Sequence, residues 1–315
     1  MKADKTPEWD VIIVGGGPAG LSAAVLLARM KRNVLLFDSG NQRNIRSHGM
    51  HNFPTRDGML PPDYLELTHQ EALNYGVTLV NFQILAAERL SDYHFRVRAQ
   101  DGKTYESRRI LLATGVQDSI PDIPGMYELW GSAIHHCPYC DGWECRDHVI
   151  GLYASKNNGY GEALALRHLA EKVVLFTDRA YKLNTKQTIH LKARNIDIEY
   201  GKVVRLDFTD NDLHGVVLED GRTIPVQKMF VNHGMHIHDA LLNQLGCRTS
   251  KKGAAITNRK QQTSVPGVYV AGDAAIDVHF VVVAAAEGAK AGVAIHTDLL
   301  NIENLAAIAV KDPVS

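Results

Sequence analysis

Apolar residues along this chain fall in short uninterrupted blocks, separated by polar turns marked with glycine. Val11–Val14 is such a block and reads as a parallel strand buried on both faces. Three glycines follow, then an Ala- and Leu-rich stretch from Leu21 to Met30 that reads as a helix. A second block, Val34–Phe37, ends at Asp38 and completes a β-α-β unit. Residues 41–62 are polar, with Gly and Pro, and read as an irregular segment over a site. Pro62–Tyr75 predicts a helix; Val77–Val80, Ile84–Leu90, Phe95–Ala99 and Arg109–Ala113 predict strands, with a hairpin at Asp101-Gly102. A Pro-bearing connection, Val116–Gly125, marks a domain boundary. Beyond it, strands His148–Leu152 and Val173–Phe176 bracket a helix over Glu162–Ala170, a second β-α-β unit. A hairpin at Asp220-Gly221, a strand at Lys228–Val231 and a return connection at Cys247–Lys252 follow. The last block, Val268–Ala271, leads through Gly272-Asp273 into a long Ala-rich helix. Two similar blocks imply an internal duplication. The expected fold class is α/β, with two Rossmann-like three-layer dinucleotide-binding domains, the second inserted into the first. The first domain would span 1–117 and 246–315, the second 118–245.

At 315 residues the chain exceeds one core of usual size, which agrees with two domains. Its net charge of −1 provides no field to draw in nucleic acid or an anionic membrane. The N-terminal residues lack an apolar secretory core, and the longest apolar run, Val278–Ala286, is broken by His279. That run falls far short of the roughly 20 residues that span a bilayer. The expectation is a soluble, cytoplasmic protein. The densest histidine run, His233, His236 and His238, lacks a second ligand cluster, so it reads as a loop or sheet end and no metal is expected. Four cysteines in a chain this long do not make a disulfide scaffold.

Gly15, Gly17 and Gly20, with Pro18 and Ala19 between them, sit between a strand and a helix. Glycines there allow a tight turn and a close approach of backbone to a pyrophosphate, which the helix N-terminus favours. Asp38 follows at about the 20-residue distance suited to a ribose-binding carboxylate. Thr114-Gly115 and Gly272-Asp273 each end a strand in a small turn. Cys137 and Cys140 have the spacing of a reversible disulfide, of one edge of a zinc site, or of two inert thiols. Asp141, directly after them, suits a proton donor or acceptor as a thiolate forms or leaves.

Taken in order, "GGGPAG", "HNFP" (51–54), "ATG" (113–115), "CPYCDG" (137–142) and "TSVPGVYVAGD" (263–273) resemble the low-molecular-weight thioredoxin reductase family over nearly the whole chain. The resemblance implies FAD, rather than NAD, at the first glycine turn. It implies that Cys140 faces the flavin, that Cys137 exchanges with substrate and that Asp141 is the acid/base. It further implies flavin contacts at Asn52, Phe280 and Val281, a thioredoxin-like protein or small dithiol as partner, and a homodimer. His279-Phe280-Val281 stands where the family has an Arg-Gln pair and an apolar residue, so flavin tuning is expected to differ. "HHCPYCDGWE" is similar to the branch containing the fungal dithiol oxidases.

The second glycine turn departs from the family. Its strand is expected to end at Gly151, but Leu152, Tyr153 and Ala154 come next, and Gly159 and Gly161 arrive only after "SKNN". Tyr153 and Tyr160 put bulk where a pyrophosphate needs bare backbone. Asp178, after the next strand, would repel a 2′-phosphate, and only Arg179 and Lys182 are near it. NADPH is therefore disfavoured. NADH in a modified pocket, a second FAD or no ligand remain, and family branches linked to ferredoxin or to a second flavin set precedents. The sequence thus reads as an FAD-dependent disulfide oxidoreductase that does not take NADPH in the usual way. Its direction is open, since the same chemistry reversed is a dithiol oxidase. An NAD(P)H-dependent reductase with an atypical loop and a flavin-bearing redox sensor are the alternatives.

Overall fold

The computed structural model describes residues 9–155, 159–275 and 278–311, with 306–311 as backbone only. Residues 1–8, Lys156, Asn157, Asn158, Ile276, Asp277 and residues 312–315 lie outside the described residues. The chain divides into two compact units, Met1–Arg43 with Pro62–Gln117 and Ile237–Ser315, and Asn44–Pro61 with Asp118–His236.

In the first unit, strands Thr78–Val80, Val34–Phe37, Trp9–Val14 and Thr104–Leu112 lie side by side, all parallel. Thr104–Leu112 is long enough to serve two neighbours. Its first half pairs antiparallel with His94–Ala99, and its last three residues pair parallel with Val268–Val270. Helix Pro18–Arg29 runs against the long helix Val281–Lys311. A Cβ on Gly288 would fall 2.0 Å from Ala19 O, so only glycine lets the two backbones approach this closely. That contact sets the first glycine turn beside the Gly272 turn. No helix among the described residues is long and apolar enough to cross a membrane.

The second unit holds a parallel five-stranded sheet in the order Ile196–Glu199, Val173–Phe176, Ile150–Ala154, Lys228–Asn232, Ile134–His135. A three-stranded antiparallel sheet, Val203–Thr209, Asp212–Leu218 and Thr223–Pro225, accompanies it.

The observed division differs from the sequence reading in two places. The chain returns to the first unit at Ile237, earlier than the expected 246. The reason is the short helix Ala240–Gln244, whose Leu241 and Leu242 enter the first unit's core and whose Gln244 Oε1 accepts the Ala87 N–H at 2.8 Å. Residues 44–61, expected in the first domain, cluster with the second. Arg46 donates to the Tyr127 carbonyl at 2.9 Å, and Gly131, at φ +86°, sits against Arg46 backbone where any Cβ would collide.

Candidate active site

Strand Trp9–Val14 ends at Gly15, which has φ +111°. A Cβ there would lie 2.2 Å from Ala113 O, so both conformation and space demand glycine. Gly17 caps the helix, Pro18 occupies its first turn, and nothing lies within 4 Å of where a Gly17 Cβ would stand. A Cβ on Gly20 would lie 1.9 Å from Gly15 O, which seats the helix directly on the turn. The result is an open cradle at a helix N-terminus, with the partial positive charge that favours phosphate. At its side, Asp38 accepts from Gly40 N at 3.1 Å and Gln42 Nε2 at 2.7 Å, which orients the carboxylate. Thr114 Oγ1 is buried with no partner among the described residues, and Gly115 beyond it has φ +63°. An orphaned hydroxyl next to an open cradle is what a polar dinucleotide would satisfy.

Gly272 donates its N–H to buried Glu287 Oε2 at 2.9 Å. Asp273 pairs with Arg43 at 3.3 Å, and the same guanidinium lies 3.1 Å from His279 Nδ1. Val281 starts the long helix and Phe280 precedes it, both half-buried. Arg43 and Glu287 were not singled out in the sequence. Arg43 meets Asp273 across 230 positions, and no local pattern signals such a contact.

In the second unit, Cys137 and Cys140 form a disulfide, with Cα atoms 5.3 Å apart. Cys137 caps the short helix Pro138–Asp141, and its Sγ accepts the Cys140 N–H at 3.1 Å. That donor stabilises negative charge on Cys137 when the bond opens. Asp141 ends the helix, and its Oδ1 lies 3.3 Å from His135 Nδ1. Cys145 is buried, and burial pushes its thiol up to about 12, so it remains a thiol outside the exchange. Asn52, at φ +62°, donates through Nδ2 to the Tyr139 carbonyl at 2.7 Å. The residue expected at the flavin thus ties the 44–61 segment to the turn between the two cysteines.

The second glycine turn is built differently from the sequence reading. The strand does not stop at Gly151 but continues to Ala154, held by ladders to Val173–Phe176 and Lys228–Asn232. Gly151 is therefore a packing position, where a Cβ would meet Met229 and Phe176 side chains at 3.2 Å. Tyr153 is buried and donates its hydroxyl to Asp178 Oδ2 at 2.7 Å, while Asp178 Oδ1 accepts Val203 N at 2.8 Å. Helix Gly159–Leu169 starts against Tyr181, whose ring would touch a Cβ on Gly159 and whose hydroxyl takes the Tyr160 N–H at 3.3 Å. Gly161 lies inside this helix, and Tyr160 reaches His190 rather than a ligand pocket. Arg179 pairs with Glu219 at 2.9 Å. A cavity of about 380 Å³ remains, lined among others by Tyr153, Asp178, Lys202 and His233.

Glu162, in the first turn of that helix, accepts from Asn232, while its Oε1 is buried with no partner among the described residues. Burial raises its proton affinity above the usual carboxylate value. A raised folded-state value stabilises the fold at acid pH, and that stability is lost as pH rises through the folded value. Glu162→Gln, which carries no charge to bury, is expected to raise stability by about 1 kcal/mol at pH 8 and to change nothing below the ordinary glutamate range. Thermal denaturation at the two pH values checks this.

The model of the pyridine nucleotide-disulphide oxidoreductase family matches residues 9–288. The chain belongs to the pyridine nucleotide-disulphide oxidoreductase family. Within it, the chain is 29% identical to a probable thioredoxin reductase of Arthroderma benhamiae, over 96% of this chain and 83% of that protein. It is 30% identical to the thioredoxin reductase sirT of Leptosphaeria maculans, over 94% and 95%. Among solved structures, HlmI superposes with a TM-score of 0.94 at 34% identity, covering 100% of this chain and 99% of that one. The putative thioredoxin reductase TrxB of Bacillus anthracis superposes at 0.89 with 27% identity, covering 94% and 99%. The protein is an oxidoreductase of the thioredoxin-reductase type, with the two Rossmann-like domains of that fold. FAD is expected in this family, and the Gly15–Gly20 cradle, Asp38 and the orphaned Thr114 hydroxyl fit it.

Proposed function

We propose that this enzyme couples its Cys137–Cys140 pair to one FAD without taking electrons from NADPH, and that it runs as a dithiol oxidase. The observation that carries the reading is how side chains take up the polar groups on either side of the second turn, whose residues 156–158 lie outside the described residues. Tyr153 occupies the strand end with its hydroxyl on Asp178, and Tyr181 takes the Tyr160 N–H near the helix start. A pyrophosphate docks on bare backbone N–H groups at such a helix start, and here the Tyr160 N–H is already taken by a side chain. The Asp178 carboxylate opposes a 2′-phosphate, and Arg179 is engaged by Glu219. A second FAD carries the same pyrophosphate, so the argument disfavours it equally. NADH fails on the first count.

With dioxygen as the terminal acceptor in place of a nucleotide or ferredoxin donor, net turnover is oxidation. A substrate with two thiols loses two electrons and two protons and becomes a disulfide. The Cys137–Cys140 disulfide accepts them and becomes a dithiol. FAD, held by the Gly15–Gly20 cradle and Asp38, would supply the two-electron acceptor for the pair, with dioxygen as terminal oxidant and hydrogen peroxide as product. The residues of the chain do the rest: Gly15–Gly20 and Asp38 hold the dinucleotide, Cys137 meets substrate, and Asp141 handles the thiol proton. The substrate is a thioredoxin-like protein or a small dithiol. Homodimer assembly and action in the cytoplasm belong to the same proposal.

Anaerobic mixing tests it. NADPH and NADH are expected to leave the flavin band unchanged, dithiothreitol to bleach it, and air to restore it with one equivalent of peroxide. Rapid bleaching by near-stoichiometric NADPH or NADH would overturn the reading. Flavin content near one per chain is expected; a value near two would overturn the exclusion of a second dinucleotide.

A further inference from the structure

His135 lies outside the CxxC motif, and the proposed function assigns it nothing. It ends the edge strand Ile134–His135, where it is in register with Phe230, and its ring packs 5.6 Å from the Phe230 ring. The sheet and that ring fix the imidazole. Its Nδ1 lies 3.3 Å from Asp141 Oδ1, with side chains 9% and 16% exposed, so water screens the contact poorly.

We propose that His135 is a positioning residue that completes a proton relay with Asp141, carrying a substrate thiol's proton away from the Cys137–Cys140 disulfide. The inference rests only on the dithiol-exchange half of the proposed function, not on the absence of NADPH chemistry. A lone carboxylate is poorly matched to a thiol. Carboxylates ordinarily titrate near about 4, thiols near about 8.5 and imidazoles near about 6.5, so at neutral pH an imidazole is the better resting place for the proton. Asp141 takes the proton and passes it to His135, and the resulting imidazolium stays paired with the carboxylate, the arrangement that favours it.

The step balances as follows. The substrate sulfur bonds to Cys137 Sγ, and the Cys137–Cys140 bond breaks. Cys140 leaves as a thiolate with the bonding pair, and the substrate proton moves to Asp141 and on to His135. The second substrate thiol loses its proton to water and attacks the first substrate sulfur. That releases Cys137 as a thiolate, stabilised by the Cys140 N–H. Two electrons have passed from substrate to the pair.

Among the described residues, the other titratable groups on the elements packed here include the His136–Asp118 pair at 3.7 Å, Glu144, Cys145, Lys228 with its ammonium on Ser132 O, and Tyr160, Glu162, Arg167 and His168 on helix Gly159–Leu169.

The test uses the flavin-loaded enzyme, mixed anaerobically with dithiothreitol, with the bleaching rate followed from pH 5 to pH 9. His135→Asn is expected to slow reduction by at least about tenfold at pH 8, because it removes the proton acceptor beside Asp141. The deficit should shrink toward nothing as pH falls to 5. In an Asp141→Asn background the same change should add no further loss, because the two groups act in series. A deficit constant across pH, or losses that multiply in the double variant, would overturn the relay. His135→Gln, which spans the same gap with a neutral amide, gives the same readout should the Asn variant fold poorly. NADPH reactivity does not enter either measurement, so the relay and the proposed function fail separately.

Discussion

Cys137→Ser is expected to yield a folded, flavin-loaded protein whose turnover of dithiol substrates drops to the uncatalysed background. The fold should survive because Cys137 is half-buried and serves as a helix N-cap, a position at which serine is among the preferred residues. Its hydroxyl can accept the Cys140 N–H that the sulfur accepts now. Activity should vanish because the substrate sulfur has no S–S bond to open, and an alcohol supplies neither the leaving group nor the two-electron store. Cys145→Ser is the control: that thiol, pushed up to about 12 by burial, takes no part, and its loss should leave the rate within about threefold of the parent. Dithiothreitol oxidation followed by peroxide release, with the flavin spectrum and far-UV circular dichroism recorded on the same samples, checks all three statements. Turnover within tenfold of the parent in Cys137→Ser would remove the disulfide from the mechanism.

The second large effect is on the cofactor. Gly15→Ala is expected to give a protein that retains little flavin and is less stable by several kcal/mol. A φ of +111° lies in territory that residues with a Cβ rarely enter, at a cost of about 1–3 kcal/mol. The added Cβ would also lie 2.2 Å from Ala113 O, backbone that cannot move without dragging strand Thr104–Leu112 and the Thr114 hydroxyl with it. Gly17→Ala separates the two causes. Its φ is −76° and nothing lies within 4 Å of the new methyl, so stability of the flavin-free protein should be unchanged. Flavin should nevertheless bind more weakly, since that open space is where the pyrophosphate would approach. The flavin-to-protein absorbance ratio after gel filtration, with thermal melts of flavin-free samples, distinguishes strain from blockage. Equal melting losses in the two variants would refute the assignment of strain to Gly15.

Glu162→Gln and the anaerobic nucleotide experiment address the second unit independently. The first asks whether burial raises the proton affinity of Glu162, and the second whether the second unit still takes a reductant.

Local pattern carried much of the architecture. Val34–Phe37 and Val173–Phe176 form strands with the bounds their apolar blocks suggest, because a parallel strand covered on both faces must be apolar at every position. The hairpin signals at Asp101-Gly102 and Asp220-Gly221 both sit between antiparallel strands, since a turn of that kind needs residues tolerant of positive φ. The Gly15 turn was legible for the same reason: its chemistry is carried by residues adjacent in sequence. Helix Thr185–Ala193 was missed. It is held by an Asn184–Gln187 capping box and buries only Leu191, so it shows almost no apolar period.

What the sequence determined by itself, then, is whatever depends on neighbours in the chain: alternating strand and helix, the glycine cradle, the cysteine pair and the disorder in the second glycine pattern. Tertiary structure alone decided where Gly151 lies, because ladders to strands on both sides carry its own strand on to Ala154. It decided that residues 44–61 side with the cysteines, through the bond from Asn52 to Tyr139, and that Arg43 meets Asp273. It also decided that Tyr153 turns its hydroxyl to Asp178 and that His135 faces Asp141. These are contacts between side chains brought together by packing, and hydrophobic periodicity specifies which face of an element is buried, not which polar group it will find there.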